Sequence, residues 1–186
     1  FNDAIGSVSV VDGINPVLST TDPLSGHQDS SVQAVNLDSL FNIDFGADSN
    51  GHTIDKLIIT NQDKWAQFNL STSSGSNADG QHPIYLSLAN NGREVDGLYL
   101  DNFGKEQKAF SVFIDDNGNL HLTQFTALYH PTTTGAGNPN LPIDLSGFIS
   151  AQVTVVDSDG STTAPASFDL GQYLHFNDTY GTISVR

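Results

Sequence analysis

Alternation of apolar and polar residues along short segments most limits the folds open to this chain. From Ile149 to Val155, apolar residues alternate with Ser150, Gln152 and Thr154, which is the period-two pattern of a half-buried strand. Short apolar runs of strand length recur along the chain at 57–60, 65–70, 84–88, 98–100, 110–114, 120–125 and 168–176. We therefore predict an all-β fold.

Turn signals separate these runs. Asn117-Gly118 can supply the positive φ angles of a tight turn, so residues 110–125 are predicted to form a hairpin. Residues 71–80 and 131–142 are rich in Gly, Ser, Asn and Pro and lack periodicity, and loops of this length usually have a function. Only Val35 to Phe45 has helical spacing. We predict a β-sandwich of short antiparallel strands with long loops and at most one or two short helical turns.

The charge of the chain is strongly negative and comes almost entirely from aspartate. The net charge is −15, and two of the 21 acidic residues, Glu94 and Glu106, are glutamate, which leaves 19 aspartates. Aspartate favours turns and is a compact oxygen ligand, so this composition suggests loops that hold Ca²⁺. The alternative explanation of the acidic composition is simple solubility, or adaptation to salty water. The six scattered Lys and Arg residues argue against nucleic acid as a partner.

Several classes of function have no support in the sequence. No apolar run approaches the roughly 20 residues that span a bilayer, so we expect no direct membrane insertion. The chain has no cysteine, its six histidines stand alone, and no Gly-x-Ser-x-Gly motif is present. With no recognisable nucleophile or zinc motif, we predict that this domain is not an enzyme.

Two nearly identical decapeptides stand 175 residues apart, FNDAIGSVSV at 1–10 and FNDTYGTISV at 176–185. Recurrence at a fixed period is typical of tandem arrays. At 186 residues the chain fits one domain. We predict a linker from a preceding repeat at 1–10, a single ligand-binding β-domain at 11–175, and a linker to the next repeat at 176–186. Two similar edge strands within one fold are the alternative.

A candidate metal loop follows the alternating strand. In Asp157-Ser-Asp-Gly160, two carboxylates two residues apart and a glycine bend are arranged as in many Ca²⁺ loops, although an ordinary Asp-Gly turn has the same pattern. Asp3 and Asp178 lie in the two decapeptides. We predict that Ca²⁺ bound by Asp157, Asp159 and these aspartates stiffens the connection between repeats.

Motifs along the whole chain resemble a known family. They are FGAD with Gly51, IYLSL leading to VDG, LTQFTALYHP, VVDSDG, and LG followed by FND. Together they resemble the β-rich domain of unknown function found in very large RTX adhesins of Gram-negative bacteria. The resemblance implies an extracellular, calcium-rigidified fibre at the bacterial cell surface that serves cell adhesion and biofilm formation. Some members of that family use Ca²⁺ to bind the free C-terminus of a partner protein, and others are spacer repeats.

Departures from the spacer pattern favour a ligand-binding member. The segment Leu100 to Gln107 is longer and more acidic than in spacers, and Asp79-Gly80 ends an extended Ser/Asn loop. We therefore expect a calcium-dependent domain that binds a peptide or protein C-terminus on another cell surface. A structural extender that contacts only its neighbouring domains, or a calcium-dependent sugar-binding module, are the alternatives.

A carboxylate-binding site on so acidic a chain requires a cation. Ca²⁺ with an open coordination position could join protein oxygens to the carboxylate of a peptide. We predict that Asp101, Asn102 and Asp79 surround this ion, with Gly80 and Gly104 allowing close approach of the backbone.

Overall fold

The computed structural model describes residues 6–24, 26–31, 33–47, 50–60, 72, 82–129 and 145–177. Within these residues the chain forms strands joined by short turns. The strands are β1 (Ser7–Val10), β2 (Leu18–Thr21), β3 (Asp29–Ser30), β4 (Val35–Asn36), β5 (Phe41–Asp44), β6 (His52–Ile59), β7 (Tyr85–Ala89), β8 (Glu94–Leu100), β9 (Glu106–Ile114), β10 (Asn119–Gln124), β11 (Ile149–Val156), β12 (Ala166–Asp169) and β13 (Leu174–Asn177). The 3-10 turns are Leu37–Leu40, Asn90–Gly92 and Gly171–Tyr173.

The largest sheet has six strands. Its order is β3-β10-β9-β8-β7, with β4 also paired to β10. Strands β7 to β10 form an antiparallel meander in which each strand pairs with the next. Apolar residues on one face of this meander, such as Val95, Val112 and Leu122, are buried, whereas the opposite face carries polar residues such as Glu94 and Asp96. This alternation places the core on one side of the sheet.

A second sheet is built on the alternating strand of the sequence. Strand β11 pairs antiparallel with β12 on one side and with β6 on the other. The pairing with β6 extends from Ile149 opposite Ile59 to Val156 opposite His52. Ile149, Ala151, Val153 and Val155 are buried, so β11 presents its apolar residues to the core.

Two small sheets involve the ends of the described chain. Strand β1 pairs antiparallel with β5, and β13 pairs with β2. The β13–β2 pair is parallel, with Leu174 opposite Leu18 and Asn177 opposite Thr21. We predicted antiparallel strands throughout, and this pair is the exception among the described strands. A parallel pair needs a long connection, and here nearly the whole domain separates the two strands.

The sheets enclose one hydrophobic core. Phe110 and Phe176, from β9 and β13, are almost fully buried and their rings lie 5.0 Å apart. Side chains from both larger sheets belong to the same packed cluster, among them Leu57, Ile149, Val153, Val95, Val112 and Leu122. A single core between sheets is the packing expected of a β-sandwich.

The prediction of an all-β fold is confirmed. The hairpin at 110–125 is also confirmed, but of Asn117 and Gly118 only Gly118 has a positive φ. The helical turn expected in Val35–Phe45 is the 3-10 turn Leu37–Leu40. The described residues contain three such turns, more than the one or two we expected. Of the other two, Asn90–Gly92 lies between β7 and β8, and Gly171–Tyr173 interrupts the predicted run 168–176. The run at 65–70 lies outside the described residues.

The N-terminal boundary of the domain differs from the prediction. Ser7–Val10 was expected to be linker, but it forms β1 and pairs with β5 along its whole length. At the other end, Phe176 and Asn177 complete β13. The folded unit therefore extends beyond 11–175 on both sides. None of the described helical segments has the length and apolar character needed to cross a membrane.

Candidate functional site

Three hairpin turns share the pattern Asp-x-x-Gly-x and one geometry. They are Asp101–Lys105 between β8 and β9, Asp115–Asn119 between β9 and β10, and Asp157–Ser161 after β11. In each turn the Asp N–H donates to the carbonyl four residues on, at 2.9, 2.9 and 3.0 Å. The Gly N–H donates back to the Asp carbonyl at 2.9, 3.0 and 3.1 Å. The glycines have φ angles of 75, 77 and 89°, a conformation that other residues adopt at a cost.

The aspartate side chain completes each turn. Its Oδ1 accepts the N–H of the second residue on, which is Phe103, Asn117 or Asp159, at 2.9, 2.9 and 3.1 Å. The same oxygen accepts the N–H of the fourth residue on at 2.9 Å in all three turns. Aspartate therefore has a structural task in these turns, because its carboxylate satisfies backbone donors that the tight bend leaves unpaired.

The predicted binding residues Asp101, Asn102 and Gly104 lie together in the first of these turns. Both carboxylate oxygens of Asp101 accept hydrogen bonds, since Oδ2 also accepts the Gln107 Nε2 donor at 3.1 Å. These bonds, from Gln107 and then from the Lys105 backbone, hold the pKa of Asp101 below its usual value. Asn102 and Gly104 are exposed. The remaining predicted binding residues, Asp79 and Gly80, lie outside the described residues.

Asp157 and Asp159 bring two carboxyl groups into contact at the third turn. Asp159 Oδ1 accepts the Ser161 N–H at 2.9 Å. The contact with Asp157 lowers the pKa of Asp159 to about 2, and the same contact raises the pKa of Asp157. Two adjacent carboxylates repel each other, and a bound cation would relieve this repulsion.

The residues of this turn fit part of a calcium site. Ca²⁺ takes about six to eight oxygen ligands, and Asp157 and Asp159 supply two carboxylates. Asp3 and Asp178, the other predicted ligands, lie outside the described residues. Within the described segments no three His, Asp or Glu side chains are grouped to hold a metal. The third turn therefore requires ligands from elsewhere in the chain or from a neighbouring domain to complete a site.

A carboxyl pair that the sequence did not reveal joins Asp38 and Asp55. Asp38 lies in the 3-10 turn before β5, Asp55 lies on β6, and their side chains are in hydrogen-bonding contact. One buried oxygen of each carboxyl group, Oδ1 in both, has no hydrogen-bond partner. Burial and then the contact with Asp38 raise the pKa of Asp55 to about 6. No local pattern signals this pair, because it depends on how distant segments pack.

A charged cluster lies on the outer face of the six-stranded sheet. Lys108 Nζ lies 3.0 Å from Glu94 Oε1 and 3.4 Å from Asp96 Oδ2. Ser111 Oγ donates to Asp96 Oδ1 at 2.5 Å. The Asp96 side chain is only 7% exposed, so Lys108 compensates a buried carboxylate. This arrangement is typical of a structural ion pair.

One family model, for a domain of unknown function (DUF5801), matches residues 18–171. The chain belongs to the DUF5801 family. No curated protein and no solved structure matches it. The match begins at the first residue of β2 and ends at Gly171, so all three Asp-x-x-Gly turns are part of the DUF5801 domain while β1 and β13 lie outside the matched residues.

The first turn of the DUF5801 domain displays an aromatic side chain to solvent. Phe103 is 93% exposed, and the neighbouring Leu100 at the end of β8 is 41% exposed. The hydrogen bond from the Phe103 N–H to Asp101 Oδ1 fixes the backbone at this position. Exposed aromatic side chains on rigid turns are suited to contact a partner.

A cavity of about 490 Å³ lies between β2 and β3 of the DUF5801 domain. Hydroxyl groups, one carboxylate and one amide line it, together with the exposed Val17. Asp29 in its wall accepts the Thr21 N–H at 2.7 Å. The cavity contains none of the site residues that we predicted, and its lining could hydrogen-bond a small polar molecule.

Proposed function

We propose that this DUF5801 domain is a structural extender, a repeating unit of an extracellular RTX adhesin at the bacterial cell surface that holds neighbouring copies at fixed spacing. The observation that carries this proposal is the recurrence of one decapeptide at an offset of 175 residues, on either side of the matched residues 18–171. A domain bounded by two copies of one sequence is the expected unit of a tandem array.

The Asp-x-x-Gly turns support an extender role. The carboxylates of Asp101, Asp115 and Asp157 each accept backbone N–H groups of their own turn. The aspartates therefore contribute to the rigidity of the hairpins without any ligand. This use of aspartate accounts for part of the acidic composition on structural grounds.

In this proposal Ca²⁺ binds only at the third turn, where it joins adjacent copies. Ca²⁺ at Asp157 and Asp159, completed by Asp3 or by Asp178, would fix the angle between domains. The two carboxylates in contact at the third turn support a cation there, because binding would remove their mutual repulsion.

The test is the shape of a chain that contains two copies joined through the decapeptide. Small-angle X-ray scattering in calcium buffer should give a maximum dimension close to twice that of one domain. A two-copy chain with the compact dimension of two domains packed side by side would overturn the extender proposal. The same measurement in EDTA reports separately whether Ca²⁺ stiffens the connection.

Ligand binding at the first turn is the second candidate function, and the exposure of Phe103 favours it. In this function the domain would bind a peptide or protein C-terminus on another cell surface, with Ca²⁺ between Asp101 and the peptide carboxylate. Peptides with a free or an amidated C-terminus, titrated in calcium buffer, test it. Phe103→Ala should abolish binding, whereas Leu24→Ala, which removes another exposed side chain (74%), should not.

Equal binding of the free and the amidated peptide would contradict carboxylate capture. Competition by a sugar would instead favour the calcium-dependent sugar-binding module.

A further inference from the structure

The cavity between β2 and β3 separates two strands that pair with other strands and not with each other. Among the described strands, β2 pairs with β13 alone and β3 pairs with β10 alone. Both strands therefore have a second edge without a strand beside it. Residues from both lie in the wall of the cavity, which is lined by Val17, Ser19, Thr21, Asp29, Ser30 and Gln33.

The second edge of β2 faces this cavity. The Asp22 N–H donates to the Asn177 carbonyl of β13 at 2.8 Å. The Thr21 N–H, one residue earlier, points away from β13 and donates to Asp29 Oδ2 at 2.7 Å. Backbone groups along a strand alternate between its two edges. Ser19 therefore directs its N–H and C=O to the same side as Thr21, toward the cavity.

The second edge of β3 faces the cavity from the other side. The Ser31 N–H, directly after β3, donates to the Leu122 carbonyl of β10 at 2.8 Å. By the same alternation, the N–H and C=O of Ser30 point away from β10. Ser30 lies in the cavity wall. The cavity thus lies between two strand edges that offer backbone donors and acceptors.

The charge of the cavity favours a basic occupant. Asp29 is the one charged side chain among the described residues that line it, and the chain carries a net charge of −15. An anionic ligand would be repelled, whereas a Lys or Arg side chain would be attracted. Val17, which is 41% exposed in the wall, adds apolar surface beside this carboxylate.

We propose that an extended, basic peptide segment of a partner protein binds in this cavity as an added strand between β2 and β3. Its backbone would bond to Ser19 and Ser30, and a Lys or Arg side chain would pair with Asp29. Strand addition derives its affinity from backbone hydrogen bonds and its specificity from alternate side chains. The binding requires no Ca²⁺ and no residue of the first turn, and it is independent of the extender role.

Isothermal calorimetry in EDTA tests the proposal with the peptide acetyl-Lys-Val-Lys-Val-Lys-Val-amide. Both ends of this peptide are blocked, so capture of a free C-terminal carboxylate cannot contribute. The peptide should bind saturably, and the counterpart with Glu in place of Lys should not. Failure of the basic peptide to bind at millimolar concentration, or equal binding of both peptides, would overturn the proposal.

Two variants at Ser19 separate recognition of the backbone from recognition of the hydroxyl group. Ser19→Pro removes the N–H that faces the cavity, and proline is tolerated on a strand edge of this kind. It should weaken binding of the basic peptide by about tenfold, whereas Ser19→Ala, which keeps the N–H, should stay within about twofold of the wild type. Equal losses in both variants would indicate recognition of the hydroxyl, as by a sugar, and would contradict strand addition.

The role of Asp29 is tested by removing its charge. Asp29→Asn keeps an acceptor for the Thr21 N–H and should weaken binding by about fivefold. Asp116→Asn, which makes the same change at an exposed position outside the cavity wall, should bind like the wild type. Equal affinities of the two variants would show that only the overall charge attracts the peptide, and would contradict a site at Asp29.

Hydrogen exchange on the wild-type protein gives a readout that depends on no variant. Bound peptide should slow exchange of the Ser19 and Ser30 N–H groups. Exchange in β7, at the far edge of the six-stranded sheet, should not change. Protection of β7 instead, or unchanged exchange at Ser19 and Ser30, would contradict the proposal.

Discussion

Asp55 on β6 and Asp38 in the 3-10 turn before β5 place their carboxyl groups in hydrogen-bonding contact, with one buried oxygen of each unpaired. Such a contact is favourable only while one of the two carboxyl groups is protonated. Thr53 Oγ1 donates to Asp38 Oδ2 at 3.4 Å. The positive charge of Arg93 opposes the rise in the pKa of Asp55. Ionisation of the pair is thus coupled to the packing of β6 against the turn.

The pair of Asp38 and Asp55 predicts that the free energy of unfolding falls as the pH rises from about 4 to about 7. The pKa of Asp55 is about 6 in the folded protein against an ordinary value of 3.8, so the folded state binds this proton more tightly than the unfolded state does. The stabilisation that this bound proton provides is complete at a pH below the ordinary pKa of 3.8, and it is lost as the pH rises through about 6. Urea unfolding at several pH values measures the effect.

Asp55→Asn should flatten this pH dependence and raise the melting temperature at pH 7, because an amide can donate to Asp38 at any pH. Asp116→Asn removes the same charge at an exposed position that does not contact the pair. It should leave the pH dependence and the melting temperature almost unchanged. Identical pH profiles for wild type and Asp55→Asn would contradict the prediction.

Truncation of a turn aspartate should destabilise the domain without changing its fold. Asp115→Ala removes the acceptor of two backbone N–H groups and the partner of His121, whose Nε2 lies 2.7 Å from Asp115 Oδ2. We expect a loss of about 1–2 kcal/mol in the free energy of unfolding. Asp115→Asn, which keeps an acceptor oxygen, should lose less, and Asp116→Ala serves as the neighbouring control.

Calcium should raise the melting temperature through the third turn. If Ca²⁺ binds Asp157 and Asp159, millimolar Ca²⁺ stabilises the folded state by mass action, and EDTA reverses the effect. Asp159→Asn should abolish most of the increase, while Asp116→Asn should preserve it. Equal melting temperatures in Ca²⁺ and EDTA would exclude a structural ion in the single domain.

Loss of Lys108 should destabilise the outer face of the six-stranded sheet. Lys108→Met keeps the length of the side chain but leaves Glu94 and Asp96 without their cation. Burial opposes ionisation of Glu94, but the contact with Asp96 and the hydrogen bonds that Lys108 and Ser111 donate outweigh it and keep the pKa of Glu94 low. We expect the free energy of unfolding to fall by about 2 kcal/mol, which lies between the values typical of exposed and of buried ion pairs. Lys105→Met, at an exposed turn position, should have little effect in the same urea titration.

Local chemistry explains which features the sequence could predict. The Asp115–Asn119 hairpin and the strand β11 follow from turn residues and alternation within a few positions. Ser7–Val10 also alternates, yet we assigned it to a linker because the repeat suggested a connection between domains. The pair of Asp38 and Asp55 could not be predicted, because it depends on which segments meet after folding.

The parallel pairing of β2 with β13 has a mechanical consequence. When the two ends of the domain are pulled apart, β2 and β13 are drawn in opposite directions along their shared axis. Every hydrogen bond between them then bears load at the same time, and the bonds from Asn177 to Ser19 and Thr20 add to this resistance. A domain closed in this way resists tension by shear instead of opening one bond after another.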